Sequence, residues 1–450
     1  MSSRTDGRAS AQPRGRSALS RLVALDAARF AADTWSARPL VTRAEDLPGG
    51  LGDLFDEAAV DELVSRRGLR TPFLRVARNG QTLGDREFTQ GGGVGAAIGD
   101  QVSDDKLLRL FGDGATIVLQ GLHRTWGPLI DFTQQLAAEL GHPVQANAYV
   151  TPTQSTGFSD HYDVHDVFVL QVGGEKRWRL RSPVHPAPLR DEPWTDRRDA
   201  VTQAGAAPPA VETTLRPGDV LYLPRGWIHS ATALGGVSTH LTLGIHVWTR
   251  RHVADALLAA AVAEVSRDPQ VRASLPLAAD GLARGRLTAD VDLVRAALVR
   301  ALETVDADVV ADSLQRQARA AQRPAPLGPL AQLAAADSLT PDTVVRLRPH
   351  LEARLGQSPG GGVVLVSRLG DVAVGREEVS SLVALVAGGV LTAEMVGTDL
   401  CRRLLRLGLA VVDDTSIRRA DDVQRADDDE LQTVSVDRSD PPASAAGRRR

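Results

Sequence analysis

Seven of the ten histidines fall between His161 and His252, and two short stretches give some of them chemically suggestive company. Ser159 to Leu180 reads SDHYDVHDVFVLQVGGEKRWRL, and Pro217 to His229 reads PGDVLYLPRGWIH. The first offers His161, Asp163 and Lys176; the second offers His229. Two imidazoles and one carboxylate are the side-chain set of a facial-triad Fe(II) site, which keeps coordination positions open for a co-substrate and dioxygen. Zinc accepts the same donors, but a mixed set with open positions favours non-heme iron. A lone H-x-D means little, because short motifs recur by chance. Followed by G-D-x-L-Y-x-P-x-x-x-x-H in a β-rich stretch, it points to a shared metal.

Alternation along a strand puts His161 and Asp163 on one face, with His165 sharing their parity near the site and Asp166 pointing away. Pro217-Gly218-Asp219 reads as a tight turn and Val220–Leu223 as a buried strand, after which Pro224 and Gly226 bend His229 back to the cavity. Gly173-Gly174 reads as a hairpin turn that leads into Lys176, Trp178 and Leu180 on one face. Lys106 and Lys176 are the only lysines beside 50 arginines. An inward ammonium beside a metal is costly unless an anion pairs with it. A dicarboxylate that chelates iron at one end would bring its far carboxylate to such a cation, and a compact ammonium suits that task. The competing reading is an exposed hairpin lysine. His185, His246 and His252 read as structural, while His240 is a candidate lining residue.

The elements that must position these groups are short strands broken by Gly and Pro between Asn147 and Trp248. Expected strands are Gln145–Val150, Phe168–Val172, Arg177–Arg181, Val211–Leu215, Val220–Leu223 and Ser238–Trp248. That spacing suggests a jelly roll or double-stranded β-helix, whose mouth commonly takes a ligand. Before it, helical spacing covers Ala18–Thr34, with a short helix near Leu54–Leu63 and strands at Pro72–Val76 and Ala115–Gln120. Gly91–Asp100 is loop-like and lacks the Lys-Ser/Thr of a phosphate loop. After Thr249 amphipathic helices are expected at Ala254–Val265, Asp290–Val305 and Asp308–Ala321, and such stripes usually meet a neighbour or a second subunit. Arg323–Pro329 reads as a linker. Leu330 to about Thr415 alternates helices with a strand pair near Val363–Val366 and Val372–Val374, the pattern of a winged helix. Residues 326–415 hold 8 Arg against 10 acidic residues, so the basic face that nucleic-acid binding requires is missing.

A chain of 450 residues is long for one core and predicts two or three domains. The net charge of −4 gives no global case for nucleic acid or an anionic membrane. One cysteine, Cys401, excludes a disulfide framework and a Cys-rich zinc module. No apolar run approaches membrane-spanning length. The Arg- and Ser-rich start lacks the apolar core of a secretory signal, so a cytoplasmic protein with disordered tails at 1–17 and 416–450 is expected.

YVTPTQSTGFSDHYDVHDVFVLQVGGEKRWRL and PGDVLYLPRGWIHSA resemble the JmjC-type ribosomal oxygenases, cupin-like 2-oxoglutarate-dependent protein hydroxylases. RFAADTWSARPLV is similar to their N-terminal helix with its Trp-x-x-x-Pro-Leu. The resemblance covers nearly the whole chain apart from its tails. It implies an α+β chain with a JmjC barrel at 18–250, a helical dimerisation region at 251–325 and a winged-helix-like domain at 326–415. It further implies Fe(II) held by His161, Asp163 and His229, and 2-oxoglutarate held by Lys176. Asn147 and Tyr149 would line the metal and co-substrate pocket. Gly244 departs from the pattern, since relatives tend to carry a small hydroxyl residue there against 2-oxoglutarate. The implied activity is hydroxylation of a protein side chain, a His or Arg of a ribosomal protein, by a homodimer. Demethylation of N-methyl-lysine, a non-catalytic cupin that binds a metabolite or partner, and a winged-helix regulator with a cupin sensor are the competing readings.

Overall fold

The computed structural model describes residues 17–413 apart from 79, 154, 156–158, 276, 278–286 and 359. The tails expected at 1–17 and 416–450 lie outside the described residues, Ser17 excepted. One compact unit ends at Arg323 and a second begins at Pro324.

Nine strands of the first unit form one sheet, and two of them dominate it. Asp166–Arg181 and Ile228–Ile245 pair antiparallel along almost their whole length. Glu175–Arg181 faces Ile228–Leu234, and Asp166–Gly173 faces Thr239–Ile245, with register shifts between the two halves. Each long strand therefore serves both walls of the barrel. Val211–Leu215 adds to the first half. Val220–Leu223 pairs with Asp166–Gly173 and also receives the short strand Leu40–Thr42. On the other side Val144–Thr151, Thr116–Leu119 and Leu74–Arg78 follow in turn.

The expected strands at Phe168–Val172 and Arg177–Arg181 are thus one strand, and Gly173-Gly174 is not a hairpin turn. Gly174 has φ +62°, and a Cβ there would sit 2.0 Å from the Val237 carbonyl oxygen. The bend needs a residue without a side chain because the paired strand passes directly beneath it. His229 follows the turn expected at Pro224 and Gly226, where Gly226 has φ +86°, and lies on the strand that begins at Ile228.

Alternation sorts the side chains by face. Phe168, Leu170, Leu241 and Leu243 point to a core shared with Phe30, Leu129, Phe132 and Leu136. Val167, Val169, Trp178, Leu180, Leu221 and Leu223 point the other way, into the barrel. The helix Gly127–Leu140, for which the sequence reading named no element, supplies three of the outer core residues. Ala18–Thr34 is not one helix: a 3-10 turn at Leu19–Arg21 precedes a helix at Ala27–Asp33. Asp26 starts the second by accepting the Arg29 N–H at 2.9 Å, since a short carboxylate competes for free N–H groups and favours a helix end over its middle.

Helices Arg250–Val265, Thr288–Thr304 and Ala307–Ala320 belong to the same compact unit as the barrel. The first two share a small core of Ala261, Val265, Ala297 and Ala301. The second unit has its own core around Val345, Leu365, Leu382, Cys401 and Leu404. It combines the sheet of Val344–Leu347, Leu391–Thr392 and Ala410–Val412 with a meander of Arg354–Gln357, Val363–Ser367 and Gly370–Val374. No helix among the described residues is long and apolar enough to cross a membrane.

Candidate metal centre

His161 and His229 meet through their backbones. His229 donates its N–H to the His161 carbonyl at 2.8 Å, and His161 donates to the His229 carbonyl at 3.2 Å. This isolated bridge extends the barrel wall by one rung and brings the two imidazole centroids to 4.3 Å. Asp163 follows on irregular chain, not on the regular strand that alternation assumed. Its backbone is held by the Gly226 N–H at 2.9 Å, and its carboxylate lies 3.7 Å from His229 Nε2. Ligand atoms of His161, Asp163 and His229 all fall within 4.8 Å of one another, the one such group among the described residues.

Neighbouring carbonyls set the tautomers. His161 Nδ1 lies 2.7 Å from the Ser159 oxygen, and His229 Nδ1 lies 3.0 Å from the Trp227 oxygen. A carbonyl only accepts, so each Nδ1 carries the proton and each Nε2 keeps a lone pair for a metal. Burial, aided by the nearby His161, pushes the His229 pKa down to about 4, which keeps the imidazole neutral and able to ligate. Burial works against ionisation of Asp163, but His165, His229, His161 and Arg75 outweigh it and hold the carboxyl below its usual range. Two imidazoles and one carboxylate with an open cavity in front suit a hard-to-borderline divalent ion such as Fe(II).

That cavity, of about 240 Å³, is lined by Tyr149, Lys176, Trp178 and His240 as well as the triad. Lys176 is 3% exposed and donates to Thr151 Oγ1 at 3.1 Å. Burial alone drives its pKa from 10.5 to about 7. Two other buried polar atoms beside it, Trp178 Nε1 and His240 Nδ1, have no hydrogen-bond partner among the described residues. Unpaired buried polar atoms are costly, and two of them beside a buried ammonium whose one hydrogen bond goes to a neutral hydroxyl fit an anionic co-substrate. Lys176 is therefore inward, and the exposed-lysine reading fails. His240, stacked on Tyr149 at 5.0 Å and edge-on to Trp178 at 5.5 Å, is a lining residue.

Tyr149 lines the cavity, and Arg75 hydrogen-bonds its side chain. Asn147 does not join it. Its carboxamide oxygen accepts the Gly121 N–H at 3.0 Å and it is absent from the cavity wall, so its role here is to tie a loop to the barrel. Gly244 is also outside the cavity. A Cβ there would lie 2.7 Å from the His165 ring, so glycine makes room for an imidazole that stacks on His246 at 5.4 Å. Thr242, two residues earlier on the same face, does place a hydroxyl residue on the cavity wall. Asp166 points away as expected, into a buried knot where it accepts Ser36 Oγ, Tyr222 OH and the Arg225 N–H at 2.7, 2.5 and 3.0 Å. His185 pairs with Glu192, and His252 caps its helix at Thr249.

Arg75, Thr116 and Trp194 also line the cavity and were not singled out from sequence. Strand parity from Tyr149 and His240 leads to Thr151 and Thr242. No sequence signal marks Arg75 or Trp194, which reach the site from distant segments.

Residues 128–253 match the family model described as the JmjC domain. A segment of 104 residues is 42% identical to a bifunctional lysine-specific demethylase and histidyl-hydroxylase, NO66, of Drosophila persimilis, covering 23% of this chain and 14% of that protein. A segment of 116 residues is 40% identical to ribosomal oxygenase 1 of Rattus norvegicus, covering 26% and 19%. The similarity thus spans less than a fifth of the length of either relative. The X-ray structure of E. coli ycfD is 16% identical with a TM-score of 0.51, over 87% of this chain and 99% of that one. That likeness shows the fold, a barrel in a mixed helix and sheet chain, and the barrel holds most of the segment that matches the JmjC domain.

Proposed function

We propose that the chain is an Fe(II)- and 2-oxoglutarate-dependent oxygenase that hydroxylates a protein side chain, a His or Arg of a ribosomal protein. The observation that carries this reading is the convergence of His161, Asp163 and His229 at one end of a cavity that holds a buried, anion-deficient Lys176. The names of the relatives, ribosomal oxygenase and histidyl-hydroxylase, agree with it.

His161 and His229 would offer Nε2, and Asp163 a carboxylate oxygen, to the Fe(II) ion. Lys176 receives the far carboxylate of 2-oxoglutarate, with Trp178 and His240 as additional donors. With iron bound, the centre supplies dioxygen activation: 2-oxoglutarate loses carbon dioxide and becomes succinate, taking one oxygen atom, and the other enters a substrate C–H bond. The apolar wall of Val167, Val169 and Leu223 excludes water and strengthens the charge interactions inside. Positioning and electrostatics are the protein's share of the chemistry.

Succinate formation from 2-oxoglutarate, measured with Fe(II) and dioxygen for wild type and His161→Ala, tests the reaction. Mass spectrometry of ribosomal proteins from wild-type and deletion cells tests the substrate, with a gain of one oxygen expected. The names of some relatives also include lysine demethylase; loss of a methyl group in place of the gained oxygen selects that second reading. Equal inactivity of wild type and variant over a broad peptide panel selects a binding protein.

The same proposal includes a cytoplasmic homodimer and a winged-helix character for the unit from Pro324. The apolar stripe Val291, Val294, Leu298 and Leu302 forms an open groove on the second long helix, and a matching subunit would cover it. Light scattering that gives the monomer mass removes the dimer.

A further inference from the structure

The cavity wall opposite the barrel's own strands is supplied by an excursion between Arg181 and Val211. It carries Trp194 at the start of a 3-10 turn and then the helix Arg198–Gly205. Three ties clamp the excursion to the segment that bears His161. Val201 is buried with Tyr162 and Ile228, and Trp194 packs against them. The Tyr162 hydroxyl donates to the Glu192 carbonyl at 3.0 Å. Arg181 holds Asp160 at 2.9 Å through one nitrogen and the Ala207 carbonyl through another. The Asp160 carboxylate in turn lies against Gly205, where a Cβ would come within 2.6 Å of it. Trp194 is therefore fixed, with its ring centroid 6.4 Å from that of His161 and part of its surface on the cavity.

Arg198 lies over the same indole, its guanidinium carbon 4.7 Å from the centroid. The π-face it covers is engaged, and the charge sits one ring thickness from anything against the opposite face. Arg75 adds a second cation to the cavity wall. Of the carboxylates nearby, Asp163 faces the triad, Asp160 faces Arg181 and Glu192 faces His185.

Resting on the oxygenase reading, we propose that Trp194, backed by Arg198, is the platform that receives the substrate side chain, and that the pair admits a flat uncharged ring and disfavours a cation. Trp194 supplies stacking area, and Arg198 supplies the charge selectivity.

The probes are two blocked tripeptides, acetyl-Gly-His-Gly-amide and acetyl-Gly-Arg-Gly-amide, at pH 7.5. Their binding to Mn(II)-loaded full-length protein without dioxygen is followed by NMR line broadening, and 2-oxoglutarate binding is titrated separately. The histidine peptide is expected to bind at least tenfold more tightly than the arginine peptide. Trp194→Ala loses at least tenfold for the histidine peptide, Trp194→Phe recovers part of it, and Arg198→Glu brings the two peptides to within threefold. A purely structural role for Arg198 would weaken both peptides together and leave their ratio unchanged. Equal binding of the two peptides by wild type, unchanged binding by Trp194→Ala, or no binding of either peptide overturns the proposal. Failure of wild type to bind 2-oxoglutarate sinks the oxygenase reading instead, and the peptide ratio still decides the Trp194 contact.

Discussion

Lys176→Met is the substitution from which most can be learned. Methionine keeps the length and apolar stem of lysine but removes the ammonium, so the barrel wall stays filled. An ammonium and a carboxylate about 3 Å apart attract by roughly 5 kcal/mol at an effective dielectric of about 20. Truncating one member of such a buried pair costs about 2–5 kcal/mol in measured complexes. A middle value near 3 kcal/mol corresponds to a rise of about 150-fold in the 2-oxoglutarate Kd. The wild type adds a pH signature. In the empty cavity Lys176 loses its proton near pH 7, so above that pH the dicarboxylate must bring a proton with it. Its Kd then rises by about tenfold per pH unit above 7 and is flat below; the methionine variant shows no such slope. Stability carries the opposite signature. The folded pKa lies below the unfolded value, so the unfolded chain binds more protons between about 7 and 10.5, and wild-type stability gains from this group as pH rises through that window. Calorimetric titration with Mn(II) in place of oxidisable iron gives the first two quantities, and thermal melts give the third. A Lys176→Met protein that binds 2-oxoglutarate as tightly as wild type, or a wild-type Kd constant from pH 6.5 to 8.5, refutes the assignment.

Asp163→Ala, which removes a ligand outright, is expected to weaken iron retention by at least about 100-fold, because losing an outer-shell partner alone costs 10–100-fold; metal analysis after desalting checks it. Gly244→Ser forces a side chain to within 2.7 Å of the His165 ring, so it lowers stability by about 1–3 kcal/mol and leaves the 2-oxoglutarate Kd unchanged. A strengthened Kd would return that position to the co-substrate pocket. Asp166→Ala strips the Tyr222 and Ser36 hydroxyls and Arg225 of their shared buried partner. It is expected to cost about 3–5 kcal/mol by denaturant unfolding, and an unchanged midpoint would discount the knot.

The triad was legible in sequence because metal ligation demands particular side chains and the two motifs flank short, strongly patterned strands. Lys176 was legible through strand parity, which survives even though the turn assigned before it is a bend in a continuous strand. Legibility ended where neighbours in space are remote in sequence. Asn147 and Tyr149 share a face, yet only Tyr149 reaches the cavity, since Gly121 claims the Asn147 carboxamide. Gly244 looked like a missing hydroxyl because the sequence does not show the His165 ring that needs the room. Arg75 and Trp194 arrive from a strand and an excursion whose docking no local pattern encodes. The helix starting at Ala27 was misjoined to Leu19–Arg21 because apolar spacing continued across Asp26, the residue that caps it.

The continuous pairing of the two long strands has a metric consequence. His229 stands opposite Leu180, and Ala233 stands opposite Lys176, on the same rigid ladder. Four rungs, or about 13 Å of backbone, separate the ligand from the lysine's anchoring point, and the lysine stem bridges part of that gap. Neither end slides without breaking every rung between them. For the proposed diacid site this ladder predicts that oxaloacetate, one carbon shorter, and 2-oxoadipate, one carbon longer, each bind more weakly than 2-oxoglutarate.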